Sequence, residues 1–377
     1  MKVRPSFLPE IEVLRGLAIL CTFFQHFVFG YMPLEISQNW ADFLNSFSLS
    51  FGVDIFFCIS GFVIMRNLLQ SYELTNRKTF WSQVWRFWSR RMWRLYPSVW
   101  FAVALGIILS LLFFHTGTGY FGDFDRVVRD GTAAVLQYFN FYGSRCTDRT
   151  ACGPNTVFWT LSLEEQFYFL LPFVLFLSGR HYVKTLSLLL VVQLLLPRPV
   201  GSILNDVRSD GFILGALLAV AHQNSHLQRL EPNFLANGWA RLLSMSLLLL
   251  GDAVAERFAL TDSTFYGRSI VTLISAIFVF LASFDQGYVM KEGRCRAVWM
   301  YLGSRSYVIY LLHMLAFGLA LESWYALWKS GHFIPLSFHL DSTLLVSSVV
   351  LTLVMAELLH KAIEQPFIAH YKATALK

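Results

Sequence analysis

The sequence predicts an all-α membrane protein, a bundle of about ten transmembrane helices with both termini on the cytoplasmic side. Three observations carry that prediction. Of the 377 residues, 55% are hydrophobic and 16% aromatic, and only 14% are charged, whereas soluble chains average about 25% charged. Apolar runs recur along the chain at lengths suited to a bilayer, for which a helix needs about 20 residues. Lys and Arg in the loops and flanks on the N-terminal side outnumber those on the opposite side by about two to one, which places the termini in the cytoplasm.

The first run, 11–32, begins after MKVRPSFLPEIE. That leader lacks the short apolar core and small-residue cleavage site of a signal peptide, so the helix is expected to be retained. An outward loop with Glu35 and Asp42 and no cation precedes the second run, 47–69. The next segment is the most basic of the chain, with Arg66, Arg77, Lys78, Arg86, Arg90, Arg91 and Arg94. The third run, 97–115, opens at Pro97 and leads into a polar outward loop, 116–156, long enough to be functional. Its middle, TAAVLQYFNFYG, reads as a short helix or re-entrant element. Further runs follow at 157–178, 185–197, 207–222, 239–256, 266–284, 304–326 and 342–363. The weakest are 185–197, broken by Pro197 and Pro199, and 207–222, which includes Arg208 and Asp210.

Residues 1–377 read as one integral membrane domain, without an internal repeat, a low-complexity tract or a second soluble domain. The net charge of +6 sits in loops where topology already explains it, so it does not indicate nucleic acid. Cys146 and Cys152, six apart in the outward loop, can pair in an oxidising compartment or stay free thiols packed beneath it. Too few Cys or His residues gather beside them for a zinc site, and no metal is expected.

Ionisable residues inside spans are costly and usually functional. Arg15 and His26 lie eleven positions apart in the first run; at about 100° per residue they share one helix face, separated by about 16 Å along the axis. That distance argues against a contacting dyad. Asp54 stands in the apolar run GVDIFFCISGFVI, where His26 is a natural partner, since a carboxylate can fix an imidazole tautomer; capping a helix is the plainer role. Ser60 and Gly61 follow, and the glycine permits close approach of another helix or a ligand. In RRMWRLYP, Arg91 and Arg94 share a helix face beside Arg90, a pattern suited to bidentate phosphate binding. In WTLSLEEQFYFLLP, Glu164 and Glu165 diverge by about 100°, so one of them at most is expected to reach a site. SYVIYLLH, with Ser306, Tyr307, Tyr310 and His313, and EQPF, with Glu364 and Pro366, read mainly as packing and interhelical hydrogen bonds.

Arg15 with His26, GVDIFFCISGFVI, RRMWRLYP, WTLSLEEQFYFLLP, SYVIYLLH and EQPF, in this order, resemble the motifs of acyltransferase family 3, the integral membrane acyltransferases, over almost the entire chain. The resemblance implies a ten-helix bundle that moves an acyl group, most often acetyl, from cytoplasmic coenzyme A to a hydroxyl of a carbohydrate or glycolipid. Acetyl-CoA would be the co-substrate and membrane lipids the surroundings. By that likeness Arg15, His26, Asp54 and Glu164 are catalytic, while Arg90, Arg91 and Arg94 engage the donor with Ser60 and Gly61 beside it. The likeness is to the stand-alone type that modifies envelope polysaccharides such as lipopolysaccharide in a bacterial inner membrane. His26 as general base and an acyl-His26 intermediate are both open. The competing function class is a proton-coupled or small-molecule transporter that uses the same intramembrane charges.

Overall fold

The computed structural model describes residues 7–30, 46–71, 77–114, 117–143, 153–199, 202–223, 227–261, 266–331 and 337–375. Among these residues the chain is helical and contains no strand. Its elements are α1 (Pro9–Gly30), α2 (Phe51–Ser71), α3 (Phe80–Phe113), α4 (Phe124–Val135), α5 (Phe139–Gly143), α6 (Phe158–Ser178), α7 (Tyr182–Leu195), α8 (Ile203–Asp206), α9 (Asp210–Gln223), α10 (Gly238–Thr261), α11 (Gly267–Ser283), α12 (Arg294–Ser304), α13 (Ser306–Lys329), α14 (Ser337–Leu359) and α15 (Gln365–Ala375). A π-helical turn, His360–Glu364, joins the last two.

Six stretches are long and apolar enough to cross a membrane among the described residues: Pro9–Val28, Phe51–Gln70, Phe80–Phe113, Pro154–Leu195, Ser306–Lys329 and Ser342–Thr374. The fourth covers α6 and α7 together. The remaining expected runs also carry helices, but α9 and α11 are shorter, at 14 and 17 residues, and α10 includes Asp252, Glu256 and Arg257. Helices of this length and apolarity are those of an integral membrane protein.

Two helix boundaries depart from the sequence expectation by more than ten residues, both near prolines. α3 begins at Phe80 instead of Pro97 and runs for 34 residues with Pro97 inside it. Pro97 removes the backbone bond to the Trp93 carbonyl one turn earlier, yet the helix continues; close by, the Tyr307 hydroxyl donates to the Leu95 carbonyl at 2.8 Å and ties α13 to α3 beside the proline. The last helix continues past Glu364 through the π turn to Ala375, with Pro366 just after the π turn.

The chain divides into two compact units, each assembled from separate stretches. Unit 1 comprises Met1–Gln25, Ser37–Gln83 and Phe167–Ser306. Its centre is the contact of α2 with α9, where a Cβ on Gly61 would stand 1.9 Å from the Phe212 carbonyl oxygen and one on Gly215 would stand 2.0 Å from that of Cys58. Small residues thus let two helix backbones touch, as membrane helices commonly require. The start of α1 is tied down by Glu10, whose carboxylate accepts from the backbone N–H groups of Val289 at 2.7 Å, Met290 at 3.1 Å and Gly287 at 3.1 Å.

Unit 2 comprises His26–Ile36, Val84–Gln166 and Tyr307–Lys377. Much of the expected outward loop is folded against its helices. Asp123 caps α4 by accepting from Arg126 N–H at 3.1 Å, so the helix starts before the stretch expected to form it. Asn140 and Gln166 exchange amide hydrogen bonds at 3.0 and 2.8 Å, and Phe139 N–H donates to Ser162 Oγ. Glu322 accepts from the Thr118 hydroxyl at 2.7 Å. Asp130 is buried under α4 beside Tyr142, Asn155, Arg126 and Arg129, with no donor meeting either carboxylate oxygen at hydrogen-bond geometry. Burial outweighs these neighbours and pushes its carboxyl up to about 6. Cys146 and Cys152, and with them any disulfide, lie outside the described residues.

Candidate active site

In unit 2, α1 delivers His26 and α13 delivers His313, and their rings meet: His26 Nδ1 lies 2.8 Å from His313 Nε2. The rings are tilted by only 15°, with centroids 5.1 Å apart. That separation exceeds the N···N distance by about two ring radii, which identifies an in-plane, edge-to-edge hydrogen bond and not face-to-face stacking. His313 is fully buried, whereas His26 keeps part of its surface accessible. Behind the pair, Tyr310 hydrogen-bonds the Thr160 hydroxyl at 2.7 Å and donates to the Val157 carbonyl at 3.1 Å, which fastens α13 to the start of α6.

His313 lies six residues from Tyr307, off its stripe, and reads from the sequence as packing and an interhelical hydrogen bond; the bond it makes is to His26. The relevant stripe is Ser306, Tyr310, His313 and Phe317, at helical spacings of four, three and four, and all four are buried. His26 sits on the facing helix, and Phe27 beside it meets Phe317 edge-on at 5.5 Å.

A second polar group of unit 2 gathers the other motifs. Arg91 and Glu164 lie within electrostatic reach of Glu165, while Arg94, Glu164, Glu165 and Glu364 all act on Tyr307. Both adjacent carboxylates are felt electrostatically here, and Glu165 is the one with a buried oxygen, Oε1, that meets no donor. Glu364 is oriented by His360, whose Nδ1–H donates to its carboxylate at 2.6 Å, and Gln365 in turn donates to His360 Nε2 at 3.0 Å. The π turn that carries His360 and Glu364 sets this geometry, and such turns recur at functional sites. Arg91 and Arg94 are half-buried and Arg90 is exposed, so the first two are the arginines that join the cluster.

Arg15, Asp54, Ser60 and Gly61 belong to unit 1. Arg15 pairs with Glu12 one turn earlier on its own helix at 3.2 Å. The pairing expected for Asp54 is corrected by the structure: its Oδ2 accepts from Arg208 Nη2 at 3.0 Å, with the two side chains 1% and 3% exposed. A carboxylate in an apolar interior is best matched by a full positive charge, and a guanidinium supplies one where a neutral imidazole does not. Asp210 pairs likewise with Arg198 at 2.5 Å and also accepts from Thr272, and Glu256 pairs with Arg268 at 2.5 Å. The two charges that weakened the run at 207–222 are therefore members of a buried ion-pair cluster. Gly61, expected to admit a helix or a ligand, admits the backbone of α9.

A helical membrane protein with a histidine pair inside its bundle and an arginine–carboxylate group on neighbouring helices has groups suited to proton transfer and to holding charge. The sequence comparisons give the family: residues 8–357 match acyltransferase family 3, described as an acyltransferase domain, and the chain belongs to it. O-acetyltransferase OatA of Staphylococcus aureus (strain NCTC 8325 / PS 47) is 25% identical over 393 aligned residues, covering 96% of this chain and 57% of the relative. The putative peptidoglycan O-acetyltransferase YrhL of Bacillus subtilis (strain 168) is 26% identical over 392, covering 96% and 55%. The chain thus spans little more than half the length of these curated relatives. No solved structure matches it.

Proposed function

We propose that the protein transfers an acyl group, acetyl in the first instance, from acyl-CoA to a hydroxyl of a carbohydrate of the cell envelope, with His26 as general base. The observation that carries this reading is the His26 imidazole, held by a second histidine within the bundle yet still partly accessible. Support for the chemistry comes from the family and from two relatives named as O-acetyltransferases, one of them as a putative peptidoglycan O-acetyltransferase. A polymer of amino sugars is on that ground a better first acceptor to test than lipopolysaccharide.

In the reaction, the imidazole takes the proton of the acceptor hydroxyl as its oxygen attacks the thioester carbonyl. The C–S bond breaks, the coenzyme A sulfur leaves, and the imidazolium returns the proton to it, giving an ester and a free thiol. Arg91 and Arg94 hold the phosphates of the donor on the cytoplasmic side, with Arg90 as an exposed neighbour and Glu164 and Glu165 orienting the guanidinium groups. Arg15 belongs to the donor side as well, about 16 Å from His26 along α1. Asp54 serves the fold of unit 1, by holding Arg208, and Gly61, next to Ser60, lets α2 pack against α9.

The test is thiol release from acetyl-CoA by purified protein supplied with a soluble glycan acceptor. His26→Ala is expected to lose at least about 10²-fold in rate while still binding coenzyme A. Transfer at the wild-type rate by a folded His26→Ala protein would end the proposal, and a transporter would release no thiol at all.

A further inference from the structure

We infer that His313 is a positioning residue that fixes the tautomer of His26, leaving His26 Nε2 as the nitrogen that accepts the hydroxyl proton. The inference rests on the general-base reading above and adds an atom-level assignment to it. It starts from the far side of the pair. His313 Nδ1 lies 2.8 Å from the Tyr310 carbonyl oxygen and 3.2 Å from that of Ile309. Carbonyl oxygens only accept, so Nδ1 of His313 carries a hydrogen. In the neutral imidazole, the form that complete burial favours, its Nε2 is then an acceptor. The nitrogen 2.8 Å away, Nδ1 of His26, must therefore donate. A neutral His26 protonated at Nδ1 has its lone pair on Nε2, the nitrogen at the opposite edge of the ring from His313.

The surroundings make the assignment stable. The α13 backbone cannot reverse its carbonyl direction without unwinding, so the proton on His313 is held by the helix itself. Tyr310 and Phe317 lie against His313 with centroids 5.6 and 5.5 Å away, and Phe317 is braced by Phe27. The His313 ring is thereby held against flipping, and its bond to His26 Nδ1 fixes which edge of His26 faces it. When His26 takes a proton, its positive charge is shared through the Nδ1–H bond with a neutral acceptor, so the pair carries one charge and no carboxylate is required. This removes the need for Asp54 as the orienting group.

The experiment combines kinetics with nitrogen NMR on the full chain, using His313→Leu, His313→Gln and His26→Ala. Leucine removes the acceptor, whereas glutamine presents an amide oxygen in its place. His313→Leu is expected to lower kcat by about 10²–10⁴-fold with little change in KM for acetyl-CoA; His313→Gln should stay within about tenfold of wild type, the scale of one altered hydrogen bond. In protein labelled with ¹⁵N-histidine, the His26 resonances, identified by their loss in His26→Ala, should show a protonated Nδ1 and a bare Nε2 in wild type. A wild-type spectrum with the proton on Nε2, or full kcat in His313→Leu, overturns the inference even where His26→Ala is inactive. An active His26→Ala protein overturns the general-base reading itself. Should His313→Leu not fold, the wild-type spectrum and the glutamine variant decide: loss of activity in folded His313→Gln beyond about a hundredfold counts against it.

Discussion

Replacing Arg208 with Met would take from Asp54 the cation that faces it. The two groups stand 3.0 Å apart with side chains almost wholly buried, so water cannot compensate either charge. Removing one partner of a buried ion pair costs about 3–5 kcal/mol, because the other is left uncompensated. Neighbouring charges bound that figure from both sides: Arg268 is close enough to relieve Asp54, while Glu256 and Asp210 add repulsion. Asp54 Oδ1 already meets no hydrogen-bond donor, so Arg208 is the group whose loss it would feel most. The assay is reversible unfolding of the purified protein in mixed micelles with rising dodecyl sulfate, run on wild type, Arg208→Met, Asp54→Asn and the double variant. The single arginine replacement should lower stability by about 3–5 kcal/mol, and the double variant should be more stable than the sum of the two single effects by at least about 1 kcal/mol. A folded Arg208→Met protein within about 0.5 kcal/mol of wild type, or strict additivity, would refute the reasoning and return Asp54 to the role of an acid in search of a base.

Arg91→Ala combined with Arg94→Ala should weaken coenzyme A binding, since each charge-assisted hydrogen bond contributes about 1.5–3 kcal/mol; calorimetric titration of the double variant is expected to show at least about a tenfold loss, and unchanged affinity would remove both from the donor site. Asp130 supplies a pH signature. Its carboxyl is pushed up to about 6 by burial, so the fold prefers it protonated: the contribution is complete below about pH 4, near the unfolded value, and is lost as pH rises through about 6. Thermal unfolding between pH 4 and 7 should show this decline in wild type and a flatter profile in Asp130→Asn.

The apolar runs, and therefore the helical membrane class, were open to reading because hydropathy is a local property of the chain. So was the anomaly of each intramembrane charge, since the cost of burying Asp54, Arg208 or Asp210 does not depend on knowing the fold. Which charge meets which was not readable. Asp54 had a histidine and an arginine to choose between, and only the packing of α2 on α9 brings one of them to it. His313 was read as packing and an interhelical hydrogen bond, and it makes one with His26; which helix supplies the partner was not readable, although a helical wheel of SYVIYLLHMLAF places His313 on one stripe with Tyr310 and Phe317. The prolines misled for a related reason. Pro97 marks a helix end in many soluble chains, but α3 runs through it, and membrane helices tolerate proline through packing with neighbouring helices, which leaves no local trace.

The continuity of α3 has a metric consequence. Its 34 residues extend about 51 Å at 1.5 Å each, well beyond a hydrocarbon layer of about 30 Å. Measured back from Phe113, that layer ends at Arg94, nineteen residues and about 29 Å away. The helix therefore acts as a ruler laid across the bilayer, with the guanidinium of Arg94 at one graduation and Arg91 and Arg90 just beyond it. The overhang carries Trp81, Trp85 and Trp93 with their rings exposed, side chains that favour the headgroup level and hold the ruler against sliding. Deleting a single turn between Arg94 and Phe113 would drag the cations about 5 Å into hydrocarbon. The spacing of α3 thus fixes the depth at which the guanidinium groups of Arg91 and Arg94 stand.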